Sequence, residues 1–475
     1  MANTHYNYIY TQIVTIYLAN SRRNIRALWV RVQNRKTVKC HGGEFMEKIV
    51  VNGGRPLRGE VEISGFKNAA LPIVYACVLV KDKCIIENVP NVLDINRSFE
   101  ILRGMGAVIR TIDKTTVEID CTNVECGTSN YDLVRRLRGS YYLLGAELGR
   151  FGRARVAYPG GCDFGVRPID QHIKGFKALG SKVVTDGGYI EISTENGRTV
   201  GTNIFFDMVT VGATLNIMLA SVLGEGQTII ENAAREPHIV DCANFLNSCG
   251  AKISGAGSDV IKIKGVEELH GCTYAIIPDM IEAGSFMVAA AATRGDVTVT
   301  NVIPKHLESV TAKLEEVGVR VEEFDDAVRV FVDGPLKHTN VKTMPYPGFP
   351  TDMHPQMCAF LTTVDGVSVI NESIYDNRFR YVEELKRMGA SIKVDGKIVT
   401  IEGGVAMSAA PLVAVDLRGG IAVMIAALTC EGQSEITDIH LIERGYDDIV
   451  GKMKKLGADV KKICIPDQVV LKKAN

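Results

Sequence analysis

The sequence predicts an α/β fold of two domains, each assembled from three copies of one supersecondary unit. Three observations lead there. A pattern of the form apolar-x-x-apolar-Gly-small-x-apolar occurs six times in the 475-residue chain, as LRGMGAVI, FKALGSKV, FLNSCGAKI, LEEVGVRV, LKRMGASI and MKKLGADV. The glycines that anchor it, Gly106, Gly180, Gly250, Gly318, Gly389 and Gly457, are separated by 74, 70, 68, 71 and 68 residues. A helix-like and a strand-like element recur in phase with it, so repeats of about 72 residues fill the chain from Met46 onward.

Residues 1–45 stand outside the repeats. They carry seven basic side chains (Arg22, Arg23, Arg26, Arg31, Arg35, Lys36 and Lys39) and one acid, Glu44. Their net charge of +6 leaves −7 for residues 46–475, since the whole chain is −1. They also hold the only tryptophan, Trp29. An Arg-rich targeting peptide and a disordered tail are alternatives. The preferred reading is a leader outside the native protein, with synthesis starting at Met46. The codons for Gly42-Gly43-Glu44 can spell a purine-rich, ribosome-binding run at a suitable distance.

Within each repeat the first element is apolar nearly all round: AALPIVYACVLV, SYYLLGAELGR, GATLNIMLASVL, AGSFMVAAAA, MHPQMCAFLTTV and GGIAVMIAAL. A helix apolar on every side belongs in a core. A strand follows, as in CIIENVP or TIIENAA, then an amphipathic helix that ends at the anchoring glycine. A strand pair completes the unit, as in KVVTDGGYIEI with its Asp-Gly-Gly turn. Three buried helices inside a ring of sheets make one domain and six make two. A solenoid would not need its helices apolar on every side. The chain is expected to cross between domains near Ser64–Lys67 and Ile277–Asp279. One domain then holds 46–66 plus 278–475, and the other 67–277.

Composition excludes several functions. At 46% hydrophobic and 23% charged, with near-zero net charge, the chain has no basic footprint for nucleic acid. No apolar run is long enough for a membrane span. The 12 cysteines include no Cys-x-x-Cys pair, and Cys77, Cys249, Cys358 and Cys430 lie in apolar stretches. Free thiols in a reducing cytoplasm are expected, with no structural zinc.

Polar residues gather at two phases of the repeat. One is the start of the buried helix: Lys67-Asn68, Arg138-Gly139-Ser140, Thr210-Val211, Asp279-Glu282, Thr351-Asp352 and Arg418-Gly419-Gly420. The other is the turn after the next strand: Cys162 to Arg167, Arg235-Glu236, His306, Asn377-Arg378 and Arg444. Helix N-termini present unpaired N–H groups, and cations beside them make an anion site. Two such domains face to face imply a cleft for a multiply charged substrate. Cys162, in the glycine-rich YPGGCDFGVRP, stands apart from the other cysteines. A reactive thiol near Arg167 and an incidental loop cysteine both fit. His172 is the nearest partner a cysteine hydrolase could use.

The motifs ISGFKNAALPI, VRRLRGSYYLLG, PGGCDFGVRPID, IIENAAREPHIVD, FPTDMHPQ, NRFRYVEELKRMGA, DLRGG and IERGYDDI, in that order, resemble those of the UDP-N-acetylglucosamine 1-carboxyvinyltransferases of the EPSP synthase superfamily. The resemblance runs from about Met46 to the C-terminus. It implies two inverse α/β barrels, each of three βαβαββ repeats. It also implies transfer of the enolpyruvyl group of phosphoenolpyruvate to the 3′-hydroxyl of UDP-N-acetylglucosamine. That is the first committed step of peptidoglycan synthesis, in a cytoplasmic monomer that fosfomycin inactivates. By motif, Cys162 protonates the methylene and Asp352 takes the hydroxyl proton. Lys67, Asn68, Arg167, Arg418 and Arg444 hold phosphoenolpyruvate, with Lys67 and Arg444 also catalytic. Arg138, Arg167, Pro168, Ile169, Asp170, Gln171, Thr210, Val211, Asp352 and Ile374 match nucleotide-sugar positions. Glu236, Asp279 and Arg378 orient groups across the cleft. No cofactor or metal is implied. Met208 stands where many relatives carry a basic residue, and Asp163 follows the cysteine where an apolar residue is common. The shikimate-pathway enolpyruvyl transferase, which lacks the PGGC loop, and a silent nucleotide-sugar-binding paralogue are the rival readings.

Overall fold

In the computed structural model each repeat closes into its own sheet. The structure describes residues 45–158, 160 and 168–466, and Phe45–Asn475 forms one compact unit. Residues 1–44 of the leader lie outside the described residues, while Phe45, its last expected residue, already begins a strand. Among those residues there are five four-stranded sheets and one of three strands. The sheets are separate, so the ring around the helices is not a continuously hydrogen-bonded barrel.

The repeated logic shows in the unit that begins at the helix Val211–Ser221. That helix is buried on all sides, because its sequence offers no polar stripe. The strand Gln227–Glu231 follows it, burying alternate residues as a half-covered strand does. The amphipathic helix Pro237–Ser248 packs back, and the hairpin Lys252–Ser254 with Val260–Lys264 extends the sheet. The short strand Asn203–Phe205 adds a parallel edge. All six anchoring glycines have positive φ, between 80° and 105°, as the repeat pattern requires.

Two sheets exchange their parallel edge strands. Arg58–Glu62 precedes the helix Lys67–Ala76 but pairs with Asp296–Thr300 of the fourth unit. Thr273–Ala275 precedes the helix Met280–Ala292 but pairs with Lys83–Glu87 of the first. The two connecting segments lie side by side: Phe66 N donates to Ile277 O at 2.8 Å and Asp279 N to Ser64 O at 2.9 Å. The N-terminal strand Phe45–Asn52 sits between Gln433–Thr437 and Asp459–Pro466, completing the sixth unit from the far end of the chain.

The helices Met280–Ala292, His354–Leu361 and Leu417–Thr429 pack against one another, and Tyr142–Phe151 packs against both Lys67–Ala76 and Val211–Ser221. Among the described residues nine cysteines are free, and Cys77, Cys249, Cys358 and Cys430 are buried as expected. Cys464 departs from the expectation of free thiols, for it is disulfide-bonded. It lies on an edge strand rather than in an apolar core stretch.

Candidate active site

The N-terminal ends of the buried helices open on a cavity of about 660 Å³. Lys67 and Asn68 begin one such helix, and Lys67 is buried with its stem along the wall. Its Nζ lies 3.3 Å from Asp94 Oδ2. Arg444 reaches the same carboxylate, Nε to Oδ1 at 2.9 Å and Nη2 to Oδ2 at 3.3 Å. Burial alone would raise the pKa of Asp94, which is 2% exposed, but Lys67 and Arg444 hold it below the usual range. Two cations thus face the cavity around one carboxylate.

A second cluster has the same design. Arg378 Nη2 donates to Asp352 Oδ1 at 2.5 Å, while Arg418 Nε and Nη2 donate to Oδ2 at 3.2 and 3.1 Å. Asp352 is 27% exposed, toward the cavity. Burial pushes its pKa up, yet Arg418, Arg378 and Lys67 together bring it far below that of an ordinary carboxylate. The arginines are themselves held. Arg378 Nη1 donates to Thr351 Oγ1, which donates to the buried Glu372. Arg418 lies over the Tyr446 ring, whose hydroxyl is 2.8 Å from Ser285 Oγ, and Gln356 Nε2 donates to that Ser285 oxygen at 3.0 Å. Nη1 of Arg418 has no hydrogen-bond partner among the described residues.

The opposite wall carries the matches to nucleotide-sugar positions. Arg138 leads the 3-10 turn before Tyr142–Phe151 and stacks over Tyr141 at 5.8 Å. Pro168, Asp170, Gln171, Thr210 and Val211 line the cavity there, and Ile374 lines it from the other side. Gln171 is oriented by Asp207, whose backbone N–H donates to Oε1 at 3.1 Å. Glu236 also lines the cavity, with burial raising its pKa. Met208 is 57% exposed at the cavity.

Several expectations need correction. Ile169 does not line the cavity; it is buried behind it as the N-cap of Asp170–Ala178. Asp279 does not reach across either. It accepts hydrogen bonds from Ile281 and Glu282 N–H and caps its own helix. Asp416 caps Leu417–Thr429 in the same way, so two of the six helix ends spend their N–H groups on carboxylates. The ends at Lys67 and Val211 have no side-chain cap and stay available to an anion. Arg235 pairs with Asp259, and neither it nor His306 lines the cavity. His172, the thiol partner weighed for Cys162, has its Nδ1 3.0 Å from Asn216 Nδ2, and burial lowers its pKa to about 3. Cys162 and Arg167 lie outside the described residues.

Sequence reasoning missed Asp94, Tyr141, His238 and the Met344–Tyr346 segment, all on the cavity wall. Asp94 reads as a routine first-turn acid of an amphipathic helix. Only its meeting with Arg444, 350 residues away in sequence, gives it a role. Among the described residues no group of three or more His, Cys, Asp or Glu is arranged to hold a metal, and no helix is long and apolar enough to cross a membrane.

Cations around two carboxylates, converging with free helix ends on a six-fold βαβαββ frame, define the class as the enolpyruvyl transferases of the EPSP synthase fold. The sequence matches the family model of EPSP synthase (3-phosphoshikimate 1-carboxyvinyltransferase) over residues 51–453. It is 53% identical over 418 residues to UDP-N-acetylglucosamine 1-carboxyvinyltransferase 3 of Caldanaerobacter subterraneus subsp. tengcongensis, covering 88% of this chain and 100% of that one. It is 52% identical to UDP-N-acetylglucosamine 1-carboxyvinyltransferase of Clostridium botulinum, with the same coverage. Among solved structures, the enolpyruvyl transferase NikO from Streptomyces tendae aligns with a TM-score of 0.80 at 25% identity, over 89% of this chain and 100% of that one. EPSP synthase from Acinetobacter baumannii aligns at 0.68 and 17%, over 88% of this chain and all of its own, and shares the fold alone. The chain belongs to the UDP-N-acetylglucosamine 1-carboxyvinyltransferase family and is a transferase.

Proposed function

We propose that this enzyme transfers the enolpyruvyl group of phosphoenolpyruvate to the 3′-hydroxyl of UDP-N-acetylglucosamine and releases phosphate. The observation that carries the reading is the pair of cation clusters, Lys67 with Arg444 and Arg378 with Arg418, facing one cavity. Phosphoenolpyruvate brings a phosphate and a carboxylate to be matched, and the nucleotide sugar brings a diphosphate. The uncapped helix ends at Lys67 and Val211 suit both.

In the proposed reaction the 3′-hydroxyl oxygen adds to C2 of phosphoenolpyruvate and its proton passes to Asp352. The double-bond electrons take a proton at C3 from Cys162. The tetrahedral intermediate then loses phosphate from C2 and a proton from C3, restoring the double bond in the product. Asp352 is a weak base while both arginines hold it. Incoming anions compete for Arg378 and Arg418, which loosens that hold and raises its basicity where the proton must go. Lys67, Arg418, Arg444 and Arg167 balance the charge that moves onto the departing phosphate.

The exchanged edge strands support two domains, 46–66 plus 278–475 and 67–277, with the paired segments at Gly65 and Pro278 as the crossing. Closure of one on the other would shut water out. We also infer a cytoplasmic, monomeric enzyme of cell-wall precursor synthesis, on whose product cell shape and division depend. Its Cys162 is the thiol open to fosfomycin. Phosphate release in the presence of phosphoenolpyruvate tests the reading. UDP-N-acetylglucosamine should support turnover and shikimate 3-phosphate should not; release only with the latter acceptor, or with neither, sinks it.

A further inference from the structure

Four cysteines that are scattered in sequence meet at one place outside the cavity wall. Cys77 follows the helix Lys67–Ala76, and Cys84 lies in the strand Lys83–Glu87. Cys249 ends the helix Pro237–Ser248, and Cys272 immediately precedes the strand Thr273–Ala275. The Sγ atoms of Cys249 and Cys272 are 3.4 Å apart. The Cys84 thiol lies near those of Cys77, Cys249 and Cys272. All four are free, and only Cys272 is partly exposed. The backbone around the pair is fixed, for Ile85 N donates to Cys272 O at 2.8 Å and His270 N to Cys249 O at 2.9 Å.

We propose that Cys249 and Cys272 form a redox modification site that a peroxide converts to a disulfide. The partly exposed Cys272 meets the oxidant first. Its sulfur attacks one peroxide oxygen, the O–O bond breaks, the thiol proton passes to the departing oxygen, and Cys272 becomes a sulfenic acid as water leaves. The Cys249 sulfur then attacks the Cys272 sulfur, the S–O bond breaks, and a second water departs. Overall, two thiols and one hydrogen peroxide give one disulfide and two waters. Bond formation brings the sulfurs from 3.4 Å to about 2 Å. Cys84 is the poorer resolving partner, because it lies inside a strand paired on both sides, whereas Cys249 and Cys272 lie at the ends of their elements. The bond ties the helix that brings Glu236 and His238 to the cavity to the strand that leads into Ile277–Asp279. Oxidation therefore acts on the segments that connect the site to the crossing.

The test treats the full chain with hydrogen peroxide, blocks remaining thiols with iodoacetamide, and maps peptides without reduction. The expected result is a linked peptide pair joining Cys249 to Cys272, about 2 Da lighter than the two free thiol peptides, which dithiothreitol separates. Cys249→Ser and Cys272→Ser should each remove the pair, and Cys84→Ser should keep it. Full alkylation of Cys249 and Cys272 after treatment overturns the proposal, as does a link through Cys84 or a Cys272 sulfinic acid without a link. The wild-type map decides even if a serine variant does not fold.

Discussion

Asp352 shows how far a residue's chemistry departs from its type. The sequence motif assigns it proton removal, and the structure holds it between Arg378 and Arg418 with its pKa far below the ordinary carboxylate range. It therefore stays ionised in the free enzyme throughout the pH range in which the protein is handled, and no acid limb of kcat/KM should trace to it. Asp352→Asn keeps the shape and removes the base; kcat should fall at least about 100-fold while the fold survives. Stopped-flow or phosphate-release kinetics across pH 5–9 check both points. Glu147 behaves in the opposite way. It is buried in Tyr142–Phe151 and accepts from Gly127 N at 3.1 Å and Arg155 N at 3.0 Å, with only the field of Arg153 to offset its burial among the described residues. Burial raises its pKa from 4.5 to about 7. The folded chain thus binds this proton more tightly than the unfolded chain does. The stability it confers is complete below pH 4.5 and is lost as pH rises through about 7. Glu147→Gln should remove that dependence, so wild type loses up to about 3 kcal/mol relative to the variant between pH 5 and 8. Urea denaturation at both values measures it, and parallel pH curves for the two proteins contradict it. Neither effect is legible in sequence, because both depend on which groups burial brings together.

At the scale of elements the sequence was far more informative. The six anchoring glycines mark helix ends because a residue there takes positive φ, and that requirement shows in composition alone. At Gly457, φ is 86° and a Cβ would meet nothing within 4 Å, so the cost of a side chain is purely conformational. At Gly106, φ is 105° and a Cβ would lie 2.6 Å from Asn123 O. Gly457→Ala should therefore cost about 1 kcal/mol, Gly457→Asn less, and Gly106→Ala clearly more than either. Equilibrium unfolding of the three variants gives the ranking, and equal losses at both glycines would contradict it. A second recurrence escaped the pattern search. Asn88, Asn232 and Asn301 all take positive φ after the strand that follows a buried helix. Their side chains donate to Ile276 O, Phe206 O and Ile63 O, just beyond the parallel edge strand of each sheet. The repeated Asn was visible in CIIEN, TIIEN and VTVTN, but its partner strand is distant in sequence. Local pattern predicts elements; it does not pair them.

For the whole molecule the decisive feature of the proposed two-domain arrangement is where the chain crosses and what holds the crossing. Ser64 N donates to Glu282 Oε2 at 2.9 Å, while Lys452 Nζ lies 2.6 Å from Glu282 Oε1 and 2.7 Å from Ser64 Oγ. This clip joins both crossing segments to the helix Ile449–Lys455. Burial raises the Glu282 pKa to about 7 even against the lowering effect of Lys452. Its anchoring is therefore firmest where Lys452 still compensates a charge that burial disfavours. The cations of the cavity come from both sides of the crossing: Lys67 begins the segment 67–277, whereas Arg378, Arg418 and Arg444 follow 278. In the proposed two-domain arrangement an anionic ligand that contacts all four draws the two sides together, with the crossing as hinge. Small-angle scattering should show a smaller radius of gyration with UDP-N-acetylglucosamine than without it. Lys452→Met leaves Glu282 buried without its cation, so Glu282 takes up a proton and the clip to Ser64 weakens. That variant should still bind the nucleotide sugar but close less completely, with a smaller change in radius and a lower kcat. If its scattering and turnover match those of wild type, the clip is a packing detail and the hinge lies elsewhere.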